Sequence, residues 1–315
     1  MILTNTQLQE IYFGAMRFAD TEDGWLQAFQ YPEARMEYFR RASDFWFERC
    51  DASTAKTIEF TTDARTFSVD YRIIWKGSED SFELMLDGQI CDIRYVRDLP
   101  DEGTLSFELP EGDKSVVLYL PADATVLLRN ASIGGEYAPA KKGPRVLWMG
   151  DSITQGFGPL RSAHTYVSVA NRLLGWDIVN QGIGGYVYDK NALERPEGFD
   201  PEKIVISMGT NQFGDEDMTG IEEYYALLHE LYGDTPVLTI TPIWRGDCPG
   251  GQPTLERFCR ELKKICLRYD NITVVDGFSL VPHLSEYFLD NLHPNALGME
   301  IYGRNLVLAI EKAGF

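Results

Sequence analysis

Cysteine is scarce and unpatterned in this chain of 315 residues: Cys50, Cys91, Cys248, Cys259 and Cys266 are odd in number, and no pair has CxxC spacing. Neither a disulfide framework nor a cysteine-based zinc site is indicated. Histidine is rarer still, with four residues and no pair at metal-binding spacing. The glycine-rich run Gly182-Ile183-Gly184-Gly185 lacks GxGxxG spacing, and no Walker-type lysine is present, so no metal and no cofactor is required. Basic residues are also few: 29 Lys and Arg face 48 Asp and Glu, a net charge of −19. That field repels phosphate backbones and anionic membrane surfaces, which argues against nucleic-acid and membrane partners. No stretch approaches a membrane-spanning length, and the first residues lack the basic and apolar regions of a signal peptide, so a cytoplasmic location is expected. The oligomeric state has no signature in the sequence.

What the chain does have is a hydrophobic fraction of 44% and 12% aromatics, enough for packed cores. Single cores stop growing near 250 to 300 residues, so two domains are expected. From about Thr57 to Ile133 apolar residues alternate, as in Phe67, Val69, Tyr71 and Ile73 or Leu105, Phe107 and Leu109. Alternation is the period of a half-buried strand, and Asp87-Gly88 is a tight hairpin signal between two such runs. An antiparallel β-sandwich, jelly-roll-like, is the expected fold here. Around Met36 the pattern fits a helix or a strand equally well.

The segment 134–144 is rich in Gly, Pro and charge, which places a boundary near residue 138: a sandwich over 1–138 and a second domain over 139–315. Beyond it, short apolar runs (Arg145 to Met149, Asp177 to Val179, Lys203 to Met208, Pro236 to Thr241, Ile272 to Val275) alternate with helical patterns such as Ile221 to Tyr232 and Leu255 to Tyr269. That rhythm predicts parallel strands with crossover helices, a three-layer α/β domain binding its ligand beyond the carboxyl ends of the strands.

The distinctive polar residues fall just past those strand ends. Gly150-Asp151-Ser152 follows the first strand, Asn180-Gln181-Gly182 the second and Gly209-Thr210-Asn211 the third, and Asp290-Asn291-Leu292-His293-Pro294 comes near the C-terminus. With these four blocks in this order, residues 144 to 315 resemble the GDSL, or SGNH, hydrolase superfamily. The resemblance implies a flavodoxin-like ester hydrolase with Ser152 as nucleophile, His293 as base, Asp290 as its partner, and Gly182 and Asn211 in the oxyanion hole beside the N–H of Ser152. A serine hydroxyl needs a base to take its proton, and a carboxylate three residues from the histidine can orient the imidazole. Gln212 follows Asn211 where many members have aspartate, which touches how Asn211 is oriented. The GxSxG elbow of another esterase fold is absent around Ser152.

Trp244 and Arg245 follow the fourth strand, so both are candidate substrate-binding residues, the ring stacking on a sugar and the guanidinium bonding its hydroxyls. The competing reading is core packing and an ion pair. A β-sandwich joined to such a hydrolase resembles carbohydrate esterases, which implies an O-acetyl esterase acting on a small-molecule or oligosaccharide ester. A lipase, lysophospholipase or thioesterase with the same triad is the alternative, and an inert carbohydrate-binding module is the non-enzymatic one.

Overall fold

A computed structural model describes residues 2–315. Residues up to Pro139 supply two antiparallel sheets. One has the order Tyr12–Phe13, Thr57–Thr62, Lys114–Tyr119, Ser81–Leu86, Gln89–Tyr95, with Tyr137–Pro139 also on Thr57–Thr62. The other has the order Arg17–Asp20, Leu26–Phe29, Ala124–Ile133, Thr66–Lys76, Glu102–Glu108. Between them lies one core in which the alternating set Phe67, Val69, Tyr71 and Ile73 meets Phe60, Leu84, Leu105, Val116, Leu118 and Leu128. Period-two burial of one face is what makes these segments pair as a sandwich. The Asp87-Gly88 signal is a tight hairpin, both residues having positive φ (47° and 82°), the backbone hand that matches strand twist.

The chain then forms a five-stranded parallel sheet in the order Asp177–Gly182, Arg145–Gly150, Lys203–Ser207, Val237–Ile240, Ile272–Val275. This second-first-third-fourth-fifth order is the flavodoxin-like arrangement. Its faces separate by residue parity. Val146 and Trp148 pack with Tyr166, Met299, Tyr302 and Leu306 from the helices Tyr166–Leu174 and Ala296–Ala313. Leu147 and Met149 pack with Tyr224, Leu228, Leu255 and Phe258 from Thr219–Tyr232 and Gln252–Cys266. Three layers follow, because a strand buried on both faces needs helices on each.

The ambiguous stretch around Met36 is helical: Glu33–Ala42 and Asp44–Cys50. These helices leave the sandwich core. Phe39 and Cys50 join Ile183, Tyr186 and Tyr188 in the α/β core. Phe39 makes edge-on contacts with Tyr31 (5.1 Å) and Tyr186 (5.9 Å). The Tyr31 hydroxyl donates to the Gln181 carbonyl (2.7 Å), and Arg35 Nη1 donates to Gln181 Oε1 (2.8 Å). An N-terminal segment is thereby built into the wall of the second sheet. Truncating Phe39 to Ala should cost about 3–5 kcal/mol, the usual loss for a fully buried ring. Chemical unfolding measures it, and a loss under 1 kcal/mol contradicts the proposed packing.

Candidate active site

The first parallel strand ends at Gly150, where a side chain has no room: a Cβ would lie 2.1 Å from Thr154 Oγ1 and 2.5 Å from the Ser207 carbonyl. The chain turns there into a single helical turn, Ser152–Gln155. Asp151 caps it, Oδ1 accepting from the Ile153 N–H at 3.1 Å. Gly156, at φ 109°, ends it in a left-handed conformation that favours glycine. Burial pushes the Asp151 carboxyl up to about 7, against the Ile153 N–H and the Arg245 charge. It serves the turn.

Ser152 Oγ lies 2.8 Å from His293 Nε2, and His293 Nδ1 lies 2.8 Å from Asp290 Oδ2. A carboxylate only accepts, so Nδ1 carries the proton and Nε2 is left to accept from the serine hydroxyl. Asp290 Oδ1 also accepts the N–H groups of Leu292 (3.1 Å) and His293 (2.8 Å). Burial alone would raise the Asp290 carboxyl; the bonds and charge from His293 outweigh it and hold the group below its ordinary value. Phe157 meets the imidazole edge-on at 4.7 Å. Gly158 is forced to be small, since a Cβ would sit 2.5 Å from the Pro294 carbonyl and 3.2 Å from His293 Cβ.

Asn211 Nδ2 donates to the Tyr186 carbonyl at 2.9 Å, which turns the amide nitrogen toward the cleft. Gln212 Oε1 accepts from Tyr188 N–H at 2.6 Å, so the residue that departs from the common pattern ties down the segment presenting that carbonyl.

Gly182 does not fit the role expected of it. Its N–H already donates to Asn180 Oδ1 at 2.8 Å, the residue is buried, and a Cβ there would meet Gln155 N at 2.3 Å. The correction is that Gly182 is a packing glycine that lets the second strand close against the Ser152 turn. Three residues on, exposed Gly185 (φ 68°) lies with Ser152, Asn211 and His293 along one cleft of about 390 Å³. Among the described residues, the N–H groups of Gly185 and Ser152 have no acceptor.

Trp244 and Arg245 are likewise corrected. Neither lines this cleft. Arg245 is buried, donating to the Thr210 carbonyl at 2.8 Å and pairing through Nε and Nη2 with Asp247 at 2.7 and 2.9 Å. Trp244 is stacked on His283, ring centroids 5.6 Å apart, and edge-on to Phe288. Both carry out the packing alternative.

The residues that sequence reading missed come from the N-terminal side: Phe45, Arg49, Gly77 and Asp123 line the cleft with Gln155, Phe157 and Leu292. Gln155 Nε2 donates to Asp123 Oδ1 (2.6 Å), and Gln155 Oε1 accepts from Gly184 N–H (2.7 Å). Burial pushes the Asp123 carboxyl up to about 6. Their one available signal was Gln155 following the Ser152 motif, a long polar residue on a buried turn that needs partners.

A flavodoxin-ordered sheet with a serine at the end of its first strand, and a histidine and aspartate just before its last helix, defines an SGNH-type hydrolase fold. Residues 148–301 match the model of the GDSL-like lipase/acylhydrolase family. Among solved structures the fold is similar to a salicylyl-acyltransferase, SsfX3, from a tetracycline biosynthetic pathway (TM-score 0.75, 19% identity, 96% of this chain and 94% of that one). It is also similar to a family two carbohydrate esterase from Cellvibrio japonicus (TM-score 0.65, 15% identity, 99% and 96%). A third is a family two carbohydrate esterase from Clostridium thermocellum in complex with cellohexaose (TM-score 0.64, 19% identity, 84% and 94%). No curated protein matches the sequence.

Replacing Gln155 by Glu sets two carboxyl groups against each other at the Asp123 contact and should cost about 1–3 kcal/mol. Adding Asp123→Asn restores a donor facing an acceptor, so the double variant should recover most of that loss in thermal unfolding. Additive losses in the two variants contradict the clamp.

Proposed function

We propose that this protein is a serine esterase that removes short acyl groups, acetyl foremost, from sugars or oligosaccharides. The observation that carries the reading is the continuous hydrogen-bond chain from Asp290 through His293 to Ser152, 2.8 Å at both links to the imidazole. Ser152 Oγ attacks the ester carbonyl while His293 Nε2 takes its proton, and Asp290 stabilises the imidazolium. The oxyanion is met by the Ser152 N–H, the Gly185 N–H and the free hydrogen of Asn211 Nδ2, three donors fixed before the charge develops. Collapse returns the proton from His293 to the leaving alkoxide and leaves an acyl group on Ser152. A water deprotonated by the same imidazole then releases the acid.

Support for a short acyl group comes from the dimensions of the cleft, about 390 Å³, walled by Phe45, Phe157 and Leu292. A long chain needs an extended apolar groove. Support for a sugar alcohol comes from Phe45, a half-exposed ring at the cleft, since a planar apolar face is a surface on which sugar rings stack. The fold shared with carbohydrate esterases agrees with this reading. The N-terminal part up to residue 138, which we assign as a domain of its own, acts by supplying one wall of the cleft. The fold serves the lipase-type alternative equally well; the dimensions of the cleft are what favour the short acyl group.

Acetate release from acetylated xylo-oligosaccharides should be lost in Ser152→Ala; equal release by both proteins rejects the assignment. On p-nitrophenyl esters of increasing chain length, turnover should peak at two to four carbons, whereas preference for eight or more supports the lipase reading. Asn211→Ala should lower kcat by about 10² to 10³, the usual loss of one oxyanion donor, while Gly182→Ala should act on stability.

A further inference from the structure

The cleft around Ser152 contains one permanent cation. Its charged lining consists of Arg49 and Asp123, with His293 beside the serine and no lysine. Arg49 sits at the end of the short helix Asp44–Cys50, in the N-terminal segment that packs on the α/β core. Its guanidinium carbon lies over two rings, 3.5 Å from the Phe45 centroid and 5.2 Å from that of Trp75. Cation–π contacts of this kind restrain the group, so less rotamer freedom remains to be lost when a ligand arrives.

The hydrogen bonds of Arg49 leave one edge free. Nη1 donates to the Phe45 carbonyl (3.1 Å) and approaches Glu48 Oε2 (3.5 Å). Among the described residues, Nε and Nη2 have no acceptor, and neither is a buried orphan, so both meet open space. These two donors form the side-on fork that matches the two oxygens of a carboxylate. Arg49 shares its cleft with Ser152, Asn211 and His293. A Cβ on Gly184 would lie 3.1 Å from Arg49 Cδ and 3.4 Å from Nε, which puts the guanidinium against the loop that carries Gly185.

Two carboxylates already lie near this charge. Glu48 is exposed and reaches only Nη1, on the other side of the group. Asp123 is buried and directs Oδ1 to Gln155 Nε2. Neither occupies the Nε–Nη2 edge. An arginine held by rings in a cleft lining, with two donors unpaired, has room for a further anionic partner.

We propose that the Nε–Nη2 edge of Arg49 is a carboxylate subsite, and that the preferred substrate is a short-chain ester whose alcohol part carries a carboxylate, as an O-acylated uronic-acid sugar does. The acyl group is assigned to the small space at Ser152, so the carboxylate belongs to the leaving alcohol. This rests on the esterase reading for the identity of the site, and deepens it from sugars in general to acidic ones. A neutral sugar hydroxyl takes one hydrogen bond from this edge where a carboxylate takes two, both charge-assisted. The overall charge of −19 slows the approach of such a substrate at long range, so selection by Arg49 acts at contact distance.

The test uses a matched pair, 3-acetoxybenzoate and its methyl ester, which differ by one negative charge. Affinity is measured calorimetrically on the Ser152→Ala protein, where turnover does not intervene. The acid should bind at least about tenfold tighter than the methyl ester, a gain in keeping with a bidentate charge-assisted pair, and Ser152→Ala/Arg49→Met should bind both alike. Ser152→Ala/Arg49→Lys, which keeps the charge and loses the fork, should retain only part of the preference. Equal affinities in Ser152→Ala, no binding of either ester, or a preference that survives Arg49→Met overturns the proposal. Hydrolysis of the same two esters by the wild-type protein is scored separately. Selective binding of the acid with no hydrolysis of either ester leaves the subsite standing and rejects the serine assignment.

Discussion

One imidazole has to touch a serine 141 positions away in sequence, and the rest of the fold is arranged around that contact. Ser152 is delivered by the end of the first parallel strand, and His293 by the segment just before the last helix. Two small residues let those backbones approach. Gly150 makes room for Thr154 inside the turn, and Gly158 makes room for the Pro294 carbonyl and His293 Cβ. The final helix then locks the arrangement at a distance: Tyr302 stacks on Tyr166 at 4.0 Å, and Asn295 caps the helix start immediately after Pro294. Rigid elements thus fix both ends of a hydrogen bond whose length has to be held within a few tenths of an ångström.

Holding the loops around Ser152 is a second problem, and it is solved with side chains from both halves of the chain. Asn180 reaches three ways: Nδ2 donates to Thr54 Oγ1 and the Thr154 carbonyl, while Oδ1 accepts the Gly182 N–H. Thr54 in turn donates to the Gln155 carbonyl at 2.6 Å. Thr54 is held in place by a bend in which the buried Lys56 ammonium donates to the carbonyls of Ala28 (2.7 Å) and Ala52 (3.1 Å). Burial lowers that ammonium to about 7, with Asp51 opposing the shift. A charge of this kind is tolerated inside only because backbone oxygens surround it. The sandwich therefore contributes more than a wall: Thr54 and Asp123 grip both ends of Gln155, and Gln155 grips the loop bearing Gly185.

The sandwich and the parallel sheet were legible because burial on one face, or on two, leaves a period in the sequence. The alternation of Phe67 to Ile73 and the separation of Val146 and Trp148 from Leu147 and Met149 are direct readouts of that. Ser152, Asn211, Asp290 and His293 were legible because each closes an element in a distinctive short block, and these four side chains do converge. Which glycine of Gly182-Ile183-Gly184-Gly185 faces the cleft was not legible. All the glycines tolerate close approach, and only the tertiary partner distinguishes them: a backbone amide at Gln155 for Gly182, open cleft for Gly185. Arg245 failed for a related reason. Its position past a strand end is shared with Ser152 and Asn211, but the Thr210 carbonyl and Asp247 take its donors. Phe45 and Arg49 were invisible because they reach the site from a helix some hundred positions before it, and no local pattern records such a contact.

The junction between the two halves carries directional polar bonds beside its apolar contacts, and this bears on how the halves are seated. Glu83, fully buried on a sandwich strand, accepts from Arg161 Nη2 (2.7 Å), Ala163 N–H (3.2 Å) and Ser81 Oγ (3.0 Å). Asp80, beside it, accepts the N–H groups of Ser81 and Ala122 within its own half and so fixes the strand end that carries Glu83, its carboxyl pushed up to about 7 by burial. A junction sealed by apolar side chains tolerates sliding, because dispersion contacts are not directional. One sealed by carboxylates with named donors does not, since a shift of an ångström leaves a buried charge unpaired. Glu83 takes donors from Arg161 and Ala163, and Thr54 donates to the Gln155 carbonyl, so directional bonds across the junction hold the wall formed by Phe45, Arg49 and Asp123 beside Ser152.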